Sequence, residues 1–289
     1  MNNQKIAIIC DSGCDLPENY AAKHDIYIAP LTLNYSDGSY LSDIDITTDE
    51  VIDRFAEEIP HTSLPSPMII KKCFDQARAN GYTKAVCITV SSALSATNQT
   101  AHMVANTIED FPIIIIDSKS AAGGAGLVVM AAVEMIEEGI DFEELKYRLN
   151  KVRDETFIFV AMKSLDFIHE GGRLSDAAYK IASTLKLNPV LMCSKEGKAA
   201  IAKKARGYKK AIKAEILLLN DCVCNFSEVR LAICGTKRTH AFDDIKEQLY
   251  KSFTTNISEV VKSDISAGMV VHSGPDVLAL AAQPNWRNL

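Results

Sequence analysis

The sequence lacks any apolar run near the ~20 residues that a membrane-spanning helix needs, so no integral membrane association is expected. It also lacks a basic excess. Its 31 Lys and Arg stand against 37 Asp and Glu, a net charge of −6, which argues against a general nucleic-acid partner. Gly-Lys-Ser/Thr is missing, and no GxGxxG with a later ribose-binding acid is met, so neither a Walker loop nor a dinucleotide fingerprint is present. There are eight cysteines but no paired CxxC set with ligand histidines. Cys10/Cys14 lie across a strand end, Cys222/Cys224 have a one-residue gap, and Cys87 and Cys234 sit inside apolar strands. That pattern predicts reduced thiols in a cytoplasmic protein, with no metal and no cofactor. Met1-Asn2-Asn3-Gln4-Lys5 runs straight into a strand, so no signal peptide is expected. What is present is 289 residues, 47% of them apolar, enough for a globular protein of two domains.

The most informative stretch runs from Ala85 to Gln99. It begins as a buried β-branched strand, becomes the hydroxyl-rich turn Ser91-Ser92-Ala93-Leu94-Ser95-Ala96-Thr97, and continues at helical spacing through Leu94, Ala101, Val104 and Ala105. A helix start offers unpaired N–H groups and the positive end of a macrodipole. Hydroxyls there either cap the helix or join those groups around an anion. With no Lys or Arg in the turn, a single carboxylate suits it better than a triphosphate.

Other short apolar runs read as buried strands that empty into polar loops: Lys5–Cys10 before Asp11-Ser12, Ile26–Leu33, and Phe111–Ile116 before Asp117-Ser118. Thr47-Thr48-Asp49-Glu50 reads as a helix cap. His61-Thr62-Ser63-Leu64-Pro65-Ser66-Pro67 is held extended by its prolines, and Pro67 opens a helix to Asn80-Gly81. If the sheet is parallel, these loops gather at the carboxyl ends of its strands and bring Thr62 and Ser63 opposite the serine turn. Ala121-Ala122-Gly123-Gly124-Ala125-Gly126 suggests close packing of a helix on the sheet. After an amphipathic helix over 143–154 the pattern changes, which places a domain boundary near residue 155. Beyond it, Gly171-Gly172-Arg173-Leu174-Ser175 opens a helix over 177–187 and offers Arg173 to an anion or a partner. A strand over 188–193, a hairpin into 199–205, a helix over 208–222, and a strand–helix–strand series over 229–234, 240–253 and 257–261 follow. Val270-Val271-His272-Ser273-Gly274-Pro275 is expected to be a strand reaching a Gly-Pro turn.

These landmarks, in this order and over essentially the whole chain, resemble the DegV family. The resemblance rests on Asp11-Ser12 with Asp15-Leu16-Pro17, on Thr62 to Pro67, on Ser91 to Thr97, and on Asp117-Ser118 with Gly124-Ala125-Gly126. Gly171 to Ser175 and His272 to Pro275 complete it. It implies an α/β protein of two domains: a Rossmann-like parallel sheet flanked by helices over 1–154, and a mixed α/β sheet over 155–289. One long-chain fatty acid would lie between them. Its carboxylate would sit on hydroxyls of Thr62, Ser63, Ser91, Ser92 and Ser95, with His272 and Asp11 near the head group and Arg173 near the opening used by a partner. The resemblance further implies a non-catalytic, monomeric protein that presents the acid to a separate ATP-dependent fatty acid kinase, which makes acyl phosphate for phospholipid synthesis.

Leu64 stands where the family usually has Gln, Ala96 where it has Gly, Ala121 and Ala122 where a serine is common, and Asp276 where another glycine is usual. The alanines are expected to alter the tail channel, and Asp276 the head-group environment. Two alternatives stay open on the residues alone. One is a stand-alone phosphotransferase or hydrolase in which Asp11, Asp117 and His272 converge at the strand ends. The other is a nucleotide-binding sensor.

Overall fold

The computed structural model describes residues 1–184, 187–237 and 242–289. The first half begins with β1 (Ile6–Asp11) and β2 (Ile26–Ala29). It passes through β3 (Thr32–Tyr35), β4 (Gly38–Leu41) and β5 (His61–Ser63), then returns with β6 (Lys84–Thr89) and β7 (Ile113–Asp117). Strands β2-β1-β6-β7 form a parallel four-stranded sheet, and β4-β3-β5 a small antiparallel one. β1 is buried along its whole length, as a strand covered on both faces must be. Local signals set the connecting helices. Thr47 caps the helix Thr48–Arg54 in a reciprocal box with Glu50, and Ser66 caps the helix Pro67–Ala79 with the proline at its first position.

The sheet changes after the helix Phe142–Asp154. The second half supplies β8 (Phe157–Met162), β9 (Val190–Cys193), β10 (Ala199–Lys203), β11 (Glu228–Gly235), β12 (Asn256–Asp264) and β13 (Val277–Pro284). They form a mixed six-stranded sheet in the order β10-β9-β8-β13-β11-β12, in which only β11 and β12 run parallel. The helix expected over 177–187 is described as Asp176–Thr184, with positions 185–186 outside the described residues. The helix start expected at 240 also lies outside them; the helix is described from Phe242 to Ser252.

One helix, Ala122–Glu137, lies between the two large sheets and is buried on nearly every side. A helix apolar all round has no solvent face to keep. Its small residues answer to space: a Cβ at Gly123 would stand 2.2 Å from Cys234 Sγ on β11, and one at Gly126 2.5 Å from the Cys14 carbonyl oxygen. This helix joins the sheets by close packing and no phosphate loop is needed to explain its glycines.

One expectation is corrected at the C-terminal end. Residues Ala267–Ser273 form a helix, so His272 sits in its last turn and not on a strand. The first three N–H groups of this segment are taken by side chains of the first half: Ser266 N donates to Asp15 Oδ1 at 3.0 Å, Ala267 N to Asp43 Oδ1 at 3.1 Å, and Gly268 N to Ser42 Oγ at 2.9 Å. Those distant acceptors satisfy donors that a helix start leaves open, which makes a short helix viable here. The chain then enters β13, an interior strand of the mixed sheet that the sequence pattern did not mark. Beyond it Trp286 returns to the core under the parallel sheet, with Nε1 donating to Glu134 Oε2 at 2.9 Å.

Candidate functional site

Between the first half and the mixed sheet lies a cavity; with the open solvent at its mouth included, the space between atoms is about 980 Å³. Its walls are Val90 and Ala122 from the first half, Ile158 and Val160 from β8, Leu191 from β9 and Ala279 from β13. Six polar side chains also line it, Thr62, Ser63, Ser95, Arg173, His272 and Ser273, and the first four of them also border a more open groove outside. A pocket of this kind offers hydrophobic burial along its length and a few aimed polar groups for orientation.

This polar set is assembled from both halves. Thr62 stands on β5, which is held by β3, and the helix Ala267–Ser273 places His272 over it. Thr62 Oγ1 and His272 Nε2 are 2.7 Å apart. Burial, with the Arg173 cation second, pushes the imidazole pKa down to about 4, so the ring is neutral near pH 7. Ser95 Oγ bonds Thr97 Oγ1 at 2.8 Å and takes the Thr97 N–H, fixing the start of the helix Thr97–Ala105. Arg173 lies half-buried at the mouth. Its Nε donates to the Leu94 carbonyl at 3.1 Å and its Nη1 to the Gly171 carbonyl at 2.5 Å. Among the described residues no carboxylate lies within ion-pair distance of it. Arg173 also borders the shallow outer groove over the mouth, together with Ser92, Ala93 and Gln99.

The other hydroxyls and acids have separate duties. Ser91 is fully buried and donates to the Gly197 carbonyl at 2.8 Å, clasping the turn between β9 and β10 onto the first half. Ser92 Oγ donates to Asp117 Oδ2 at 2.5 Å, and Asp117 Oδ1 accepts from the N–H groups of Ser92 and Lys119. Asp11 accepts from Gly13 N and Val90 N, each at 2.9 Å, and burial pushes its pKa up to about 7 against those two donors. Both carboxylates therefore fold strand-end loops, while His272 bonds Thr62. Asp276 reaches outward to Lys163 Nζ at 2.6 Å, not toward His272. Leu64 and Ala122 do line the cavity.

The model of the family described as "Uncharacterised protein, DegV family" matches residues 5–285. The chain belongs to the DegV family. A DegV domain-containing protein of Clostridium perfringens is 32% identical over 284 residues, covering 97% of this chain and 99% of the relative. A DegV family protein from Thermus thermophilus, described for its fatty acid binding, superposes with a TM-score of 0.88 at 25% identity, covering 97% of this chain and 99% of that one. A Thermotoga maritima protein described as revealing a fatty acid binding function gives 0.86 at 25% identity, over 98% of this chain and all (100%) of that one. The DegV fold of two joined α/β halves is thus that of this chain.

Sequence reasoning did not single out the cavity walls on β8, β9 and β13. Apolar residues facing a ligand and apolar residues facing a core give the same alternation along a strand, so no local signal separates them. The Ser91 clasp was equally hidden, because its partner lies 106 residues away.

Proposed function

We propose that this DegV chain binds one long-chain fatty acid in the cavity between its halves and presents the carboxylate to a separate ATP-dependent fatty acid kinase. The observation that carries the proposal is a largely apolar cavity between the halves with a few polar side chains, of which Thr62, Ser63, Ser95 and Arg173 also border the outer groove. Burial of the tail is worth about 0.8 kcal/mol per methylene. A long chain therefore brings roughly ten kcal/mol before ordering costs, and the head needs only a few aimed donors. Thr62, Ser63 and Ser95 line the mouth and are the carboxylate donors favoured here, with His272 behind Thr62. Ser91 and Ser92 belong to the same motif but have their hydroxyls committed elsewhere, so their contribution is to shape the turn.

A neutral imidazole and hydroxyls hold a carboxylate without neutralising it, so an oxygen keeps its nucleophilicity toward a phosphoryl group. A bidentate arginine would quench that oxygen. Two of the Arg173 N–H groups already serve backbone carbonyls, which leaves the guanidinium at the rim, where it faces a docking partner. The hydrolase alternative needs Asp11 and Asp117 at His272, and both are occupied by backbone donors elsewhere. We assign the chain a monomeric, cytoplasmic, non-catalytic role.

Native mass spectrometry of the purified protein, followed by organic extraction and lipid identification, tests the proposal. One fatty acid per chain is the expected result. A protein that is empty and refuses added fatty acid refutes it. Formation of acyl phosphate only when kinase, ATP and loaded chain are combined is the expected outcome for the partnership; ATP turnover by the chain alone would replace it with the enzyme alternative.

A further inference from the structure

We infer that Gly171 is a positioning residue that fixes the His272 ring in the tautomer protonated at Nε2. The inference deepens the fatty-acid reading and rests on it only for what Thr62 addresses. Gly171 has ordinary helical backbone, φ −67° and ψ −8°, so conformation does not require glycine there. Space does. A Cβ at 171 would stand 2.2 Å from His272 Nδ1 and 2.8 Å from its Cε1. The imidazole edge occupies the place of a side chain. Gly172 is the contrasting case: its φ of +73° needs glycine, and a Cβ there would meet nothing within 4 Å.

Nδ1, pressed against Gly171, is buried and has no hydrogen-bond partner. A buried acceptor without a partner is tolerated better than an orphaned N–H. The proton therefore belongs on Nε2, which faces Thr62 Oγ1 at 2.7 Å. With Nε2–H donating, the Thr62 oxygen is the acceptor, and its own proton is free to point into the mouth. The opposite tautomer would turn that proton back toward the ring and present only lone pairs to an arriving carboxylate. One glycine thus makes Thr62 a donor. The same residue holds Arg173 through its carbonyl, so the turn that carries the rim arginine also seats the ring.

The test is NMR of the imidazole nitrogens in isotope-labelled, lipid-stripped protein, for the wild type, Gly171→Ala and Gly172→Ala. The wild type should show a protonated Nε2 and a bare Nδ1 for His272. Gly171→Ala should shift both ring signals, and more than Gly172→Ala does, which strains the same turn through its φ of +73° without placing a Cβ against the ring. With palmitic acid as probe, Gly171→Ala should weaken binding ~10-fold, the loss of about one hydrogen bond. A wild-type proton on Nδ1, or ring signals shifted no more in Gly171→Ala than in Gly172→Ala, overturns the inference. The wild-type spectrum needs neither a substitution nor a ligand. It settles the tautomer even if palmitic acid fails to bind the wild type, an outcome that would instead sink the fatty-acid reading.

Discussion

Replacing Thr62 by valine keeps the shape of the side chain and removes the oxygen that lies 2.7 Å from His272 Nε2. Two interactions go with it. One is the hydroxyl's donation to a bound carboxylate; hydrogen bonds to charged groups are worth about 1.5–3 kcal/mol. At 1.4 kcal/mol per decade that predicts fatty-acid affinity ~10- to 100-fold weaker. The other is the bond to the imidazole, which exists with or without ligand. Its loss leaves a buried N–H unpaired, costs about 1–3 kcal/mol, and lowers stability while leaving affinity alone. Near this chain length, that corresponds to a melting temperature lower by roughly 2–4 °C per kcal/mol. Titration calorimetry with palmitic acid, paired with thermal unfolding of the lipid-free proteins, separates the two effects. If the variant melts lower but binds within twofold of the wild type, Thr62 is structural and the head-group assignment fails.

Ser91→Ala should behave in the opposite way. It removes the buried bond to the Gly197 carbonyl, about 1 kcal/mol of stability, with fatty-acid affinity little changed, and the same pair of assays reads both numbers. Glu215→Gln should raise stability at neutral pH. Glu215 is fully buried, and burial raises its pKa well above the usual carboxylate value despite the bond from Leu280 N at 3.0 Å. The folded chain keeps this proton where the unfolded chain has lost it, so stability falls as pH rises from about 4.3 toward the folded pKa and stays reduced above it. Urea midpoints in acid and at neutral pH should differ less in the variant; an unchanged pH dependence would show that Glu215 is not the group responsible. Ala122→Gly should stabilise the empty protein by about 1 kcal/mol, because Ala122 holds a φ of +48° that favours glycine, and a lower unfolding midpoint would contradict this.

Local chemistry wrote much of this protein into its sequence. Ile6–Cys10 and Ala85–Thr89 are short, rich in β-branched residues and followed by polar turns, which favours buried strands, Thr47 with Glu50 closes a capping box, and Ser66-Pro67 starts a helix. Each of these depends on neighbours within a few residues, so the pattern carries the answer. Of the hydroxyl motifs' residues, Thr62, Ser63 and Ser95 border the cavity.

Tertiary structure decided the rest. A short apolar segment such as Val270–His272 suits a helix or a strand equally well. It became a helix because Asp15, Ser42 and Asp43, more than 200 residues earlier, accept its opening N–H groups. The two hydroxyl motifs offered five candidates, Thr62, Ser63, Ser91, Ser92 and Ser95, with no local means of ranking them. Only the approach of the β9–β10 turn committed Ser91 to Gly197, and only the end of β7 committed Ser92 to Asp117. The demand for glycine at 171 is likewise invisible along the chain, because what fills its missing side chain is a histidine 101 residues further on. Hydrogen-bond partners and excluded volume act across space, and spacing in sequence does not encode them.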